Sequence, residues 1–201
     1  MKTIQGSFVV ALALCALTSL PASAQSAACS PQISCQLTVA QNLAVDSGFE
    51  LGCPAWYFAS GSRRENPGPC SSGTTGYCPG ADALMTVLST STATYFQQDI
   101  NLAPTGCRLD PYYVSFLIHV SSTSSSTWDK VFVEVVNPYT NTVLQTLGSY
   151  DSRTLYSWEY QQLPMSPASN WPQWVRLRFR ATFANGSTTK FRFDQVKFWG
   201  I

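Results

Sequence analysis

The chain has 201 residues, of which only 12 are Lys or Arg and 11 are Asp or Glu, so its formal net charge is +1. A nearly neutral chain in which 11% of the residues are charged lacks the basic excess of a general nucleic-acid-binding protein. The abundance of Ser, Thr, Asn and Gln favours a protein that works through neutral polar contacts.

The N-terminus has the three parts of a secretory signal peptide. Lys2 supplies the positive charge, residues 8–20 form an apolar stretch, and residues 22–24 are small, as a cleavage site requires. The apolar stretch is too short to span a bilayer, and no second long apolar run follows. We therefore expect cleavage after Ala24, a secreted, extracellular product without a transmembrane segment, and a short leader over residues 25–40.

Six cysteines remain after the signal peptide is removed, and an even number in an exported chain favours disulfides. They are Cys29, Cys35, Cys53, Cys70, Cys78 and Cys107. Proximity in sequence favours pairing the first with the second and the fourth with the fifth, which leaves the third with the sixth. Other pairings stay open, because sequence spacing does not determine connectivity. A zinc site is disfavoured, since no CxxC pair is present and His119 is the single histidine.

After residue 40 the apolar residues recur with the period of two that is typical of strands, and no helical repeat is present. The segment "NLAVDSGFELG", residues 42–52, stands where the first long strand is expected to begin, and residues 61–80 have the composition of a long loop. Further strands follow in "YYVSFLIHV", "DKVFVEVV" and "WVRLRFRA". This pattern predicts one all-β domain over residues 41–201, an antiparallel jelly-roll β-sandwich stapled by disulfides.

The last predicted strand, "KFRFDQVKFWG", interrupts its own alternation. Phe191 and Phe193 fall on one parity, whereas Val196 and Phe198 fall on the other. A β-bulge at Asp194-Gln195 would absorb the extra residue and redirect the aspartate side chain.

These segments resemble, in their order, the galactose-binding-like jelly roll found in many carbohydrate-binding modules. The resemblance covers about residues 42–201 and rests on "NLAVDSGFELG", "AWYF", "ADALMTVL", "FQQDINL", "YYVSFLIHV", "WDKVFVEVV" and the terminal "FRFDQVKFWG". In that family the N-terminal "GFE" segment lies beside the C-terminal strand. The resemblance implies the jelly-roll fold and a function in glycan binding.

The same resemblance implies a structural calcium ion, because the family often holds Ca²⁺ with the glutamate of the first motif and the aspartate of the last. Those positions are Glu50 and Asp194 in this sequence, and oxygen ligands suit calcium. Gln195 stands where the family frequently has a second aspartate, which lowers the charge of the ligand set. The alternative is that the two carboxylates act as surface caps or pair with Lys190 or Arg192.

Aromatic side chains are the candidate ligand-stacking groups, because sugars present flat C–H faces that pack on rings. Trp56 and Trp158 match positions of the family that usually pack inside. Trp128, Trp171 and Tyr77 lie in loop-like sequence and are the predicted ligand-binding aromatics. The alternative is that they are isolated exposed aromatics, which are ordinary on protein surfaces.

Arg176, Arg178 and Arg180 alternate along one predicted strand and so line one sheet face at intervals of about 7 Å. The first two are candidate ligand-binding residues for an acidic polysaccharide, since guanidinium groups bind carboxylates bidentately. The alternative is pairing with carboxylates on neighbouring strands, which the absence of a positive excess favours. The acids considered for this pairing are Glu134, Glu159 and Asp151.

Sequence motifs of catalysis are absent: there is no GxSxG, no HExxH and no second histidine to activate a serine. We therefore predict a secreted, non-catalytic carbohydrate-binding module that recognises a neutral or mildly acidic extracellular or cell-surface glycan. The alternative is a secreted structural or adhesive β-sandwich that contacts other secreted proteins. Neither function involves nucleic acid.

Overall fold

The computed structural model describes residues 41–51, 54–65, 81–86, 94–103, 112–122, 129–152, 157–184 and 186–200. The predicted signal peptide and leader, Trp128 and Tyr77, and the six cysteines with their predicted disulfides lie outside these ranges.

The described chain forms eleven strands and no helix. They are β1 (Gln41–Asn42), β2 (Tyr57–Phe58), β3 (Ser62–Glu65), β4 (Asp82–Thr86), β5 (Thr94–Asn101), β6 (Tyr112–Ser121), β7 (Lys130–Val136), β8 (Val143–Asp151), β9 (Glu159–Met165), β10 (Trp174–Thr182) and β11 (Lys190–Gly200).

The strands form two antiparallel sheets that pack face to face as a β-sandwich. One sheet has five strands in the order β2-β5-β10-β7-β8. The other has six, in the order β3-β4-β11-β6-β9, with β1 pairing with β11. All strand pairs are antiparallel, which confirms the predicted all-β sandwich.

The core lies between the sheets and is built from the alternate apolar residues that the sequence pattern singled out. Four phenylalanines from the central strands of the two sheets meet at its centre. The ring centroids of Phe96 and Phe179 lie 4.7 Å apart, and Phe193 and Phe116 lie 4.8 and 5.3 Å from Phe179. All four side chains are fully buried, which stabilises the fold by roughly 1.5–3 kcal/mol each.

The segment expected to begin a long strand instead makes a compact turn, so that part of the prediction is wrong. Only Gln41–Asn42 pairs with β11, and the chain then reverses through positive φ angles of 50° at Asp46 and 57° at Phe49. The buried amide of Gln98 accepts a hydrogen bond from the Val45 N–H and donates one to the Val45 carbonyl, each 2.9 Å long. The turn is thereby bound to both sheets, because β1 belongs to one and Gln98 to the other.

The predicted bulge in the last strand is confirmed. The register of β11 against β6 shifts between Asp194 and Lys197, and Gln195 has a φ of 48°. The shift lets Phe193 and Val196 both point into the core although their parities differ. The Val196 N–H donates to the Ser47 carbonyl at 2.8 Å, which places the "GFE" turn beside the C-terminal strand, as the resemblance implies.

Candidate functional site

The outer face of the five-stranded sheet combines ion pairs with exposed aromatic rings. Strand alternation turns Phe96, Ile100, Leu177 and Phe179 inward and their neighbours outward. The outward side chains of β2, β5, β7 and β10 include Tyr57, Tyr95, Gln97, Asp99, Phe132, Glu134, Trp174, Arg176, Arg178 and Arg180.

Arg176 pairs with Asp99 on the neighbouring strand, directly opposite in the register. The Nε–Oδ1 distance is 2.6 Å and the Nη2–Oδ2 distance is 3.0 Å, so the interaction is bidentate. This hydrogen bonding raises the pKa of Arg176. The pair is partly solvated: the side chain of Asp99 is 44% exposed and that of Arg176 is 21% exposed.

Arg178 and Arg180 share one carboxylate, that of Glu134 on β7. Arg178 Nη2 and Arg180 Nη2 lie 2.8 and 2.6 Å from its oxygens, and the Glu134 side chain is only 2% exposed. Arg180 also stacks over the ring of Phe132, with 4.7 Å between its guanidinium carbon and the ring centroid. The arginine stripe is therefore neutralised largely within the sheet, by Glu134 and by Asp99, a partner that the sequence pattern did not single out.

An open pocket of about 340 Å³ lies at the β2–β5 side of this face. It is lined by Ala55, Tyr57, Gln97, Asp99 and Arg176. The Tyr57 side chain is 56% exposed, and its ring centroid lies 6.0 Å from that of Tyr95. The pocket thus combines an exposed ring, an amide, a carboxylate and a guanidinium.

Two further exposed aromatics lie at the ends of strands of this sheet. Trp174, at the start of β10, is 41% exposed and lies opposite Asn101. Tyr139, 73% exposed, lies in the turn between β7 and β8. That turn is tied to the sheet face by a 3.2 Å hydrogen bond from Arg178 Nη1 to Asn141 Oδ1.

The structure brings together some of the predicted ligand-binding residues. Arg176 and Arg178 lie side by side on the outer face. Trp171 precedes β10 and is half-buried, with its ring packed against the hydrophobic core, and its ligand-binding role stays a prediction. Trp56 is buried as expected, and its indole N–H donates to the Val45 carbonyl at 2.8 Å.

Tyr57 and Asp99 are not among the ligand-binding residues predicted from the sequence. A signal for both was present in the alternation of their segments. In "AWYF", Trp56 and Phe58 pack inward, so the intervening tyrosine points outward. In "FQQDINL", Phe96, Gln98 and Ile100 point inward, which turns the aspartate to the surface.

Both predicted calcium ligands lie close to Gly48, the first residue of the "GFE" turn. A Cβ built on Gly48 would lie 3.4 Å from Glu50 Cγ and 3.6 Å from Asp194 Oδ1. Glu50 is exposed and its Oε1 accepts a hydrogen bond from the Ala81 N–H, whereas Asp194 is fully buried. Their carboxylates are hard oxygen donors, the type of ligand that calcium prefers. Within the described ranges no group of three or more His, Cys, Asp or Glu side chains could hold a metal ion, so backbone oxygens would have to complete the site.

A partly buried ion network lies on the outer face of the six-stranded sheet. Arg192 bridges Asp82 and Glu65, at 2.8 and 2.7 Å, rather than pairing with Glu50 or Asp194. Burial raises the pKa of Asp82, and the hydrogen bond from Arg192 offsets only part of this effect. Burial also acts to raise the pKa of Glu65, but its interactions with Arg63 and Arg192 outweigh burial and lower it.

The raised pKa of Asp82 predicts a measurable dependence of stability on pH. The native state binds this proton more tightly than the unfolded chain, so the contribution of Asp82 to stability is full below pH 3.8 and is lost as the pH rises through its folded-state pKa. The Asp82→Asn variant does not show this loss of stability with rising pH, because its amide does not titrate. Relative to the natural protein, the variant should gain stability between pH 3.8 and 7, by about 1.4 kcal/mol for each unit of pKa shift.

Denaturant unfolding of both proteins at pH 3.5, 5 and 7 measures this difference. Glu159→Gln is the matched control, because it removes the same charge from the same sheet, on β9, three strands away from β4. A stability difference between Asp82→Asn and the natural protein that stays constant with pH would contradict the shifted pKa.

The described part of the chain contains no helix of the length and apolarity that a membrane crossing requires.

Comparisons with known proteins bear on the fold. No family model matches the sequence, and the search of curated proteins found no match. Among solved structures, the module TmCBM61, determined in complex with β-1,4-galactotriose, is similar with a TM-score of 0.53 and 12% identity. The match covers 80% of this chain and 99% of that chain.

A second solved structure is the enzymatically active domain of tailspike protein 4 from bacteriophage CBA120. It is similar with a TM-score of 0.53 and 11% identity over 80% of this chain, which corresponds to only 21% of the tailspike chain. At such identities the likeness concerns the fold and leaves function to the site itself. The chain therefore shares its β-sandwich fold with TmCBM61.

Proposed function

We propose that this chain is a secreted, non-catalytic carbohydrate-binding module that binds an extracellular or cell-surface glycan on the outer face of its five-stranded sheet. The observation that supports this most directly is the open pocket in which the exposed ring of Tyr57 lies beside the Asp99–Arg176 pair. Secretion rests on the signal peptide predicted for residues 1–24.

The chemistry of this face suits a sugar. A pyranose ring packs a C–H face on an aromatic ring and needs donors and acceptors for its hydroxyl groups. Tyr57 offers the ring, and the Gln97 amide offers both hydrogen-bond donors and an acceptor. The Asp99–Arg176 pair offers a further acceptor and a further donor at fixed positions. From the strand register, Tyr57 and Trp174 are separated by roughly 17 Å, a span that favours an oligosaccharide over a single sugar ring.

The arrangement of carboxylates supports a binding rather than a hydrolytic role. Glycoside hydrolysis usually requires two carboxyl groups that flank the scissile bond, one to donate a proton and one to act as base or nucleophile. On this face Asp99 and Glu134 are both engaged by arginines, and Glu134 is almost completely buried. Of the two, Asp99 is the accessible one, so they do not form a pair of accessible carboxyl groups that could flank a scissile bond.

A panel of soluble glycans, tested by affinity electrophoresis of the mature natural protein, measures this function. β-1,4-Galactan belongs in the panel because the structurally similar TmCBM61 was solved with β-1,4-galactotriose. Retardation on at least one glycan is expected. If no glycan retards the protein, with or without calcium, the adhesive β-sandwich becomes the better account of the chain.

We also infer a jelly-roll topology with disulfides for this sandwich. From β4 to β11 the strands fill the orders β4-β11-β6-β9 and β5-β10-β7-β8, so that most consecutive strands lie in opposite sheets. This alternation between two sheets is how a jelly roll is wound. The disulfides rest on the six cysteines of the exported chain.

We further propose that Glu50 and Asp194 bind one structural calcium ion. When bound, the ion would supply a divalent positive charge beside the buried Asp194 carboxylate and join the "GFE" turn to the last strand. The proximity of both side chains to Gly48 supports this assignment.

Calcium should therefore raise the melting temperature of the natural protein. A ligand present at a hundred times its Kd stabilises the folded state by about 2.7 kcal/mol, which corresponds to roughly 5–10 °C for a domain of this size. The increase should be lost in Glu50→Gln and in Asp194→Asn, whereas Glu159→Gln should retain it. Melting curves that do not respond to calcium or to a chelator would show that Glu50 only caps the Ala81 N–H.

A further inference from the structure

The charges on the proposed glycan-binding face are arranged asymmetrically. Two arginines converge on Glu134, which is almost inaccessible, while one arginine pairs with Asp99. In that second pair the carboxylate is the more accessible partner, with 44% of the Asp99 side chain exposed against 21% for Arg176. A ligand that enters the Tyr57 pocket therefore meets a carboxylate before it meets a free cation.

We propose that this pocket selects uncharged sugars with two adjacent hydroxyl groups, and that Asp99 excludes anionic sugars such as uronates. This inference rests on the proposed glycan-binding function and narrows it to a substrate class. It replaces the expectation that the arginine stripe binds an acidic polysaccharide, because Arg176 is already occupied by a carboxylate of the protein itself.

Asp99 has acceptor capacity left for a ligand. A carboxylate offers about four lone-pair positions, and Arg176 takes one at each oxygen. The remaining positions can accept O–H donors from two neighbouring hydroxyls, and such charge-assisted bonds are the stronger kind. A uronate or sulfate at the same place would bring a second anion next to Asp99, and such like-charge contacts discriminate strongly against a ligand.

The bidentate pair also fixes where these acceptors are. Arg176 is held opposite Asp99 by the sheet register, and Gln97 lies two residues before Asp99 on the same strand and lines the same pocket. Gln97 can both donate and accept, so it can bind a further hydroxyl in either orientation. The ring of Tyr57 borders these groups and offers the stacking surface.

Arg180 has the most exposed side chain of the three arginines that β10 presents on this face. Its side chain is 30% exposed, and it shares Glu134 with Arg178. Its Nε and Nη2 atoms already donate to Glu134, and its guanidinium plane lies against Phe132. In the register it lies opposite Tyr95, four residues along β10 from Arg176 and outside the lining of the pocket.

A matched pair of probes tests the inference: β-1,4-galactan, and the same polymer after oxidation of its C6 hydroxymethyl groups to carboxylates. The natural protein should bind galactan with an affinity that changes little between 50 and 500 mM NaCl, and should bind the oxidised polymer at least about tenfold more weakly. If galactan is not bound, it is replaced by a neutral hexose polymer that retards the protein in the glycan panel. The oxidised form of that polymer then serves as the anionic probe.

Asp99→Asn should reverse this preference. The amide removes the negative charge and frees Arg176, so affinity for the neutral polymer should fall about tenfold while affinity for the oxidised polymer should rise and become salt-dependent. Glu159→Gln, which removes the same charge from the other sheet, should bind both polymers as the natural protein does. Melting curves report whether each variant is folded.

The outcomes separate this inference from the proposed function. A natural protein that prefers the oxidised polymer, or an Asp99→Asn variant with an unchanged preference, overturns the inference and leaves glycan binding intact. A natural protein that binds no glycan of either kind overturns the proposed function and the inference with it.

Discussion

Replacing Tyr57 with alanine should lower the affinity for the bound glycan by about thirtyfold, which corresponds to a loss of roughly 2 kcal/mol. The ring is 56% exposed and borders the pocket that contains Asp99 and Arg176, so a stacked sugar would lose most of its apolar contact. The fold should be preserved, because Tyr57 projects away from the core on a two-residue strand. Affinity electrophoresis or calorimetry with the glycan selected from the panel measures the effect.

Two variants make this result specific. Tyr57→Phe keeps the ring and should retain most of the affinity, because stacking depends on the aromatic face rather than on the hydroxyl. Tyr160→Ala removes a ring of similar exposure, 61%, from the other sheet and should have no effect on binding. Equal losses in Tyr57→Ala and Tyr160→Ala, or no loss in either, would place the glycan elsewhere on the protein.

The largest effect on stability is expected for Glu134→Ala. Glu134 is 2% exposed and is the common partner of Arg178 and Arg180, so its removal leaves one buried and one half-buried guanidinium without their anion. Breaking a buried ion pair from one side typically costs 3–5 kcal/mol. This loss is a large part of an ordinary folding free energy, and for a domain of this size it lowers the melting temperature by roughly 6–20 °C.

Asp99→Ala is the matched comparison. Like Glu134, Asp99 is the carboxylate partner of an arginine on β10. The Asp99–Arg176 pair is partly solvated, so its loss should cost no more than about 1 kcal/mol. Thermal and denaturant unfolding of both variants measure the difference. Equal losses of stability in the two variants would contradict the idea that burial makes the Glu134 ion pairs contribute more than the Asp99–Arg176 pair.

Much of the fold was predictable because burial in a sandwich has the period of the strand itself. In "WVRLRFRA" and "YYVSFLIHV" every second residue faces the partner sheet, and these are the residues that the structure buries completely. The bulge at Asp194 was predictable for the same reason, since a strand that changes parity must accommodate one extra residue. The "NLAVDSGFELG" segment was assigned wrongly because its turn depends on distant partners, among them Gln98 and Val196.

The candidate site was only partly predictable. The sequence placed three arginines on one face, and it favoured pairing over ligand binding for them, but it did not identify Asp99 as the partner of Arg176. The predicted loop tryptophan Trp171 packs partly against the core, whereas the exposed ring in the pocket belongs to Tyr57, within a strand of two residues. Loop-like composition is thus a weaker signal of exposure than parity within a strand.

By itself the sequence determined that this protein is an all-β sandwich, and which residues of its clearly alternating strands face the core and which project outward. Those properties depend on the alternation of neighbours along one strand, which is local. Only the tertiary structure decided that β5 and β10 are neighbours, that Asp99 therefore meets Arg176 while Glu134 serves two arginines, and that Tyr57 borders the resulting pocket. The order of strands in a sheet is set by packing between segments far apart in the chain, and the charge that a ligand meets on this face follows from that order.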